Sequence, residues 1–238
     1  MSEIHLPIIG IMHSPYQEKF GIPRQPNLVQ VQSYIEMQAP YNDLAAFEGI
    51  EEFSHLWLIW QFHDNKNPQN HGKFRAQVRP PRLGGNKKIG VFATRSMYRP
   101  APIGLSVVQL SAVKKEGKSV RVYVTGSDLL NGTPILDIKP YIQYSDALQT
   151  AQSGYAQQEP QRMQVLWSVQ ADREKQKMLQ CGQLTPEHLH ELEQVLSLDP
   201  RPAYQEDSER IYKMKFAELD VSFVIQAHTL EVIALAAV

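Results

Sequence analysis

Twelve of the sixteen prolines stand before residue 145, where with Gly and Asn they cut the chain into short apolar runs. Proline fixes φ and lacks an amide donor, so runs punctuated this way make strands and turns rather than long helices. Strands are expected over Leu6 to Met12, Leu58 to Phe62, Ile89 to Ala93, Ser106 to Val113 and Val120 to Val124. In the last of these Val120, Val122 and Val124 alternate with Arg121, Tyr123 and Thr125, the period of a sheet buried on one face. KKEGKS at 114–119 carries Gly117 between two valine-rich runs and predicts a hairpin turn. The expectation is an antiparallel meander or barrel.

The texture changes at SDALQTAQSGYAQQEPQ, rich in Gln, Ala and Ser and nearly devoid of large aliphatic residues. Beyond it a strand pattern runs over Gln164 to Gln170. Leu189, Leu192, Val195 and Leu196 then fall at helical spacing behind Thr185 as cap and Pro186 in the first turn. Ile211 to Phe216, Leu219 to Ile225 and Leu230 to Leu235 read as a three-stranded meander. A chain of 238 residues has room for two unequal domains. The division expected is a β-barrel domain over 1–145, a linker over 146–161 and a small α+β domain over 162–238, in all an α+β protein that is mainly β. There is no apolar stretch of about 18 residues, and Glu3 stands where a secretory signal needs basic charge, so a cytoplasmic protein without a membrane span is expected. Cys181 is the sole cysteine, which removes an internal disulfide and a Cys-rich zinc site.

The net charge of −1 conceals an asymmetry. From Asn65 to Lys115 there is no Asp or Glu, whereas the window holds Lys66, Lys73, Arg75, Arg79, Arg82, Lys87, Lys88, Arg95, Arg99, Lys114 and Lys115. Self-repulsion makes such a block costly unless an anion neutralises it, and phosphate is the anion expected. Acids brought close by folding are the alternative.

Nucleotide-loop signatures are missing. No G-x-G-x-x-G follows a strand, and Gly85 and Gly90 have phosphate-loop spacing but precede Val91 where Lys is required. No G-x-S-x-G elbow occurs, and His188 and His190, two apart on a helix, face different ways, so no metal site is expected. The densest segment is RPPRLGGNKKIGVFATRSMYRPAPIG at 79–104, where the strand Ile89 to Ala93 leads to Arg95 and Arg99 on a loop stiffened by Pro100 and Pro102. Two guanidinium forks mounted in this way suit a carboxylate or a phosphate; the alternative is that one arginine pairs with the scaffold and the other is solvated. GSDLLNGTPILDIKPY at 126–141 holds the turn Asn131 to Pro134, which is either an ordinary structural turn or one whose amides and hydroxyl grip the edge of a base or a ribose. Asp128 and Asp137 either bind ribose hydroxyls or balance the basic block. PRQPN at 23–27 is a stiff polar loop, and His63 with Asp64 closes the aromatic run FSHLWLIWQFHD. His63 is either a hydrogen-bonded core residue or an acid–base group, and Trp57, Trp60 and Phe62 are expected to fill the barrel.

Five segments in order, IGIMHSPY, FSHLWLIWQFH, RPPRLGGN, GVFATRSMYRPAPIGLS and NGTPILDIKPY, closely resemble the TrmO family of tRNA N6-threonylcarbamoyladenosine methyltransferases, and DPRPAY at 199–204 resembles the family's C-terminal lobe. The resemblance implies a single-sheeted antiparallel β-barrel with a small α+β C-terminal domain, working as a homodimer. It implies S-adenosyl-L-methionine as methyl donor and N6 of the modified adenosine beside the tRNA anticodon as acceptor. Carried over by position, the donor site comprises Gln25, Pro26, Asn27, His63, Asp64, Arg95, Leu105, Asn131, Gly132, Thr133 and Pro134. The acid-free block would hold tRNA phosphates through Lys73, Arg75, Arg79, Arg82, Lys87, Lys88 and Arg99. No residue is marked as a base, and catalysis by positioning is expected. Two positions depart from the family pattern: Ala101 in RPAPIG, usually Asn, and Asn131 in NGTP, usually an acid. The competing readings are a non-catalytic RNA-binding module and a small-molecule methyltransferase with the same donor site. Donor binding without RNA argues against the first, and the eleven clustered cations against the second.

Overall fold

The computed structural model describes residues 4–64, 74–201 and 207–238. Its first part is a sheet closed on itself, built from β1 (Gly10–His13), β2 (Gln32–Met37), β3 (His55–Gln61), β6 (Ile103–Glu116), β7 (Ser119–Thr125) and β8 (Pro134–Pro140). The short strands β4 (Gln77–Val78) and β5 (Ile89–Gly90) form a separate two-stranded ribbon. Around the barrel the order is β1-β2-β7-β6-β3-β8, all neighbours antiparallel, and β8 returns to β1 with Gly10 opposite Ile135. Val120, Val122 and Val124 turn inward as their alternation requires, and with Met12, Ile35, Leu56 and Leu58 they fill the interior. Glu116 pairs with Ser119 across a two-residue turn in which Gly117 takes φ 62°, the left-handed value such hairpins need.

Beyond a single helical turn, α1 (Gln143–Asp146), the second part comprises β9 (Gln164–Trp167), α2 (Val169–Gln180), α3 (Pro186–Ser197), β10 (Tyr212–Phe216), β11 (Leu219–Gln226) and β12 (Thr229–Ala237). The expected meander is there, and β9 adds a fourth strand parallel to β12. Thr185 caps α3 by accepting from the His188 amide at 3.1 Å.

Several expectations need correction. Ile89 to Ala93 is no buried strand: pairing stops after Gly90, Val91–Ala93 is a 3-10 turn, and Phe92 is 74% exposed. The Thr94 hydroxyl and the Arg99 guanidinium both bond the Val91 carbonyl, which takes that group out of any ladder. The first strand begins at Gly10 rather than Leu6, and Leu6 and Ile8 are exposed. The strand at Gln164 stops at Trp167 because Ser168 caps a helix, accepting from the Ala171 amide. Trp57 does not fill the barrel. Leu56 and Leu58 point inward on β3, so Trp57 is on the outer face, donating to Asp146 at 2.9 Å.

The stretch between β1 and β2 packs into the second part. Tyr16 bridges to Phe216, the Ala217 amide donates to the Pro15 carbonyl at 2.7 Å, and Tyr16, Val29 and Val31 lie in the same buried cluster as α3 and β10–β12. Gln30, between the two valines, donates its backbone amide to Gln194 at 2.9 Å, and Gln32, just after them, donates its own to buried Glu191 at 2.7 Å. Burial holds the Glu191 carboxyl above the ordinary glutamate range, with the Gln32 amide opposing. A raised acid takes up protons on folding, so the stability it contributes is present at low pH and lost as pH rises through the folded value. Glu191→Ala should cost about 1–2 kcal/mol by denaturant titration, as the partly buried hydrogen bond from the Gln32 backbone amide loses its charged acceptor. Glu191→Gln keeps an acceptor, and its stability relative to the parent should climb as pH rises above the ordinary glutamate value, about 4.3, then level off.

Candidate active site

Side chains fill the barrel, so a ligand has to sit at its end. Where β3 finishes and β6 begins there is a cavity of about 410 Å³, of the size that holds small molecules. Trp60 stands opposite Gly104, and a Cβ built on Gly104 would fall 2.2 Å from the indole; glycine lets the ring lie flat against β6. From there the indole Nε1 donates to Ser106 Oγ at 3.0 Å, and the Ser106 hydroxyl donates to Asp128 Oδ1 at 2.6 Å. Phe62 packs edge-on against Trp60, and Met97, Ile103, Leu105 and Leu130 complete an apolar wall.

The polar lining comes from four separate segments. Lys19 and Asp64 pair across it at 3.6 Å. Arg95 donates to Gln25 Oε1, and Arg99 is drawn back to its own loop, donating to the Thr94 carbonyl at 2.8 Å. Partial desolvation lowers the pKa of His63 at the rim, with Asp64 opposing. Burial pushes the Asp128 carboxyl up to about 6; the Ser106 hydrogen bond, its own amide and Arg95 resist.

Of the residues expected at a donor site, Gln25, His63, Asp64, Arg95 and Leu105 line this cavity together. The others stand behind it. Asn27, at φ 62°, donates its side-chain amide to the Val107 carbonyl at 2.9 Å and its backbone amide to Gly126, which ties the 23–27 loop, Pro26 included, to the barrel. Asn131 accepts from the Ser14 amide at 3.2 Å and donates to Gln17 at 3.4 Å, a donation that the acid usual in the family could not make. Thr133 is buried with its hydroxyl on the Leu130 carbonyl, Pro134 opens β8, and a Cβ on Gly132 would come 4.0 Å from His63 Nε2. Trp60, Ser106 and Lys19 carry no local mark of a site in the sequence; only their convergence in space reveals them. Asp128 was visible as an acid directly after the valine strand, but not its desolvation.

The basic block divides. Arg79, Arg82, Lys87 and Lys88 lie exposed on the loop joining β4 to β5, with no ion pair among the described residues, while Lys73 falls outside those residues. Arg75 stacks over the Tyr98 ring at 4.7 Å, and Arg99 lines the cavity rather than the hairpin. Phe74 and Phe92, 57% and 74% exposed, stack at 6.2 Å beside the ribbon. Among the described residues no group of three or more His, Cys, Asp or Glu could hold a metal ion, and no helix is long and apolar enough to cross a membrane.

Known proteins resemble this chain along its whole length. The family model for the tRNA-methyltransferase O N-terminal domain matches residues 11–147, and that for the TrmO C-terminal domain matches 160–238. An Escherichia coli (strain K12) protein named tRNA (adenine(37)-N6)-methyltransferase is 41% identical over 238 residues, covering 99% of each chain. A Pseudomonas aeruginosa protein provisionally named an S-adenosylmethionine-dependent methyltransferase is 44% identical over 216 residues, 90% of this chain and 89% of that one. The crystal structure of TrmO from Pseudomonas aeruginosa superposes with a TM-score of 0.78 at 33% identity, covering 99% of both chains. Matched by both domain models and by relatives along its whole length, the chain belongs to the TrmO family.

Proposed function

We propose that this chain transfers a methyl group from S-adenosylmethionine to N6 of the adenosine beside the anticodon of a tRNA, in its threonylcarbamoyl form. The observation that carries the reading is an apolar pocket lined from the same segment, residues 79–104, as a basic hairpin whose Arg79, Arg82, Lys87 and Lys88 make no ion pair among the described residues. The names of the relatives agree with it. The pocket fits the donor chemically: Trp60, Phe62 and Leu105 offer apolar faces to an adenine and a thioether chain, and Arg95 beside Gln25 offers a fork to a carboxylate. The bound donor supplies an electrophilic methyl group on sulfur. The acceptor nitrogen is a poor nucleophile, its lone pair shared with the purine and the carbonyl, so the chain contributes chiefly by fixing both partners in line, worth roughly 7–11 kcal/mol at best. His63, whose pKa partial desolvation lowers, sits at the rim where the acceptor enters.

For the RNA, Arg79, Arg82, Lys87 and Lys88 neutralise backbone phosphates, and Phe74 and Phe92 offer ring faces to unstacked loop bases. The enzyme in this reading is a cytoplasmic homodimer of chains with a barrel domain over 1–145 and a C-terminal domain over 162–238. Sedimentation at micromolar concentration should show the dimer.

The reading is tested by mass analysis of tRNA nucleosides from cells lacking this protein: the N6-methylated form of the threonylcarbamoyl nucleoside should disappear, and its persistence would refute the assignment. In calorimetry with S-adenosylmethionine, Arg95→Ala should weaken binding about tenfold or more, since hydrogen bonds to charged groups contribute about 1.5–3 kcal/mol. Replacing Lys87 and Lys88 together by Ala should flatten the salt dependence of tRNA binding by roughly 1.5–2 units of log–log slope and leave donor affinity unchanged.

A further inference from the structure

The barrel-end pocket holds two carboxylates in different electrostatic situations. Asp64 lies 3.6 Å from Lys19 Nζ. Asp128 makes no ion pair among the described residues: its side chain is bonded by the Ser106 hydroxyl at 2.6 Å and by its own backbone amide. Because Trp60 Nε1 already donates to Ser106 Oγ, the one hydroxyl proton of Ser106 is committed to Asp128. The carboxylate is therefore held in orientation by a hydrogen-bonded chain that brings it no positive charge.

The cations around the pocket are engaged elsewhere. Arg24 donates to the Arg201 carbonyl at 3.2 Å, Arg95 to Gln25 and Arg99 to Thr94. Arg95 acts on Asp128 only through space, and the Tyr16 phenol, which feels the Asp128 charge, is buried and stays protonated. A desolvated carboxylate against an apolar wall without a cation is costly to keep ionised. Binding a cation there removes that cost.

We propose that Asp128 is the pocket's receptor for a positively charged group of the methyl donor, either its sulfonium or its ammonium. The proposal rests on the methyl-donor reading and adds a residue to the donor site. It has a linked consequence. A cation bound against Asp128 favours the ionised carboxyl, so donor binding at acid pH expels a proton, and affinity falls as pH drops through about 6. His63 at the rim also gains charge on the acid side and repels a cationic donor; the other charged groups lining the pocket are Lys19, Arg24, Arg95, Arg99 and the Lys19-paired Asp64. The decisive quantity is therefore the difference between parent and variant, not the parent profile alone.

The test is calorimetry of S-adenosylmethionine and S-adenosylhomocysteine binding between pH 5 and pH 7.5, on the full chain. Asp128→Asn should weaken S-adenosylmethionine about tenfold at pH 7.5 and remove about a tenfold pH dependence that the parent shows. Ser106→Ala deprives the ionised form of a hydrogen bond, so the midpoint of the profile should move to higher pH. S-adenosylhomocysteine keeps the ammonium and lacks the sulfonium: equal loss for both ligands assigns the ammonium, and loss confined to S-adenosylmethionine assigns the sulfonium. An Asp128→Asn protein with parental affinity and parental pH profile overturns the proposal. A parent that binds neither ligand at any pH overturns the methyl-donor reading itself.

Discussion

A sheet that closes on itself with its inward face packed leaves no room for a ligand inside, and that constraint sets where chemistry can occur in this chain. With Met12, Ile35, Leu58 and Val122 filling the interior, the site has to lie where strands leave the barrel. At the end formed by β3 and β6 the layer of packing side chains gives way to Gly104, and Trp60 lies across it. The same indole closes the barrel end, forms the pocket wall and starts the hydrogen bonds that run through Ser106 to Asp128. Structure and chemistry meet in that one contact.

The barrel alone would leave the pocket open on one side. Pro23, Arg24 and Gln25 supply that side, and they belong to a stretch whose flanks are held in the other core, by Tyr16 against Phe216 and by Val29 and Val31 beneath α3. Asn27 then ties the loop back to β6 through the Val107 carbonyl. The C-terminal sheet and helices thus build part of the site without lending a side chain to the pocket lining. Damage to α3 at Glu191 is transmitted to β2 through the Gln32 amide, far from any ligand.

The legible parts of this architecture were local ones. Alternating valines at 120–124 announced a half-buried strand, Gly117 its turn, and Thr185 with Pro186 the start of α3. The motif segments led to the family and to five residues that do meet in the pocket. What escaped had no local signal. α2 is so polar that only Ala171 and Met178 are buried, and β2, QSYIEM, shows its alternation only once Ser33, Ile35 and Met37 have a barrel to face. Val91 to Ala93 looked like strand because its side chains are apolar, yet carbonyl capture by Thr94 and Arg99 bends it away. Asp128 is readable as a ribose ligand or a counter-charge, but its desolvation is not, because that environment is assembled from β3, β6 and the turn after β7. Asn27 and Asn131 carry the opposite lesson: residues of the right motif hold the pocket's frame through hydrogen bonds made behind its wall.

The central claim is that the methyl donor binds at the end of the barrel, between the Trp60 wall and the Arg95 loop. A crystal structure of the chain grown with S-adenosylhomocysteine tests it most directly. The account predicts the ligand in contact with Arg95, Leu105 and Asp128, with its adenine or thioether against the apolar wall formed by Trp60 and Phe62. Ligand density on any other surface, with this pocket filled only by solvent, would contradict it.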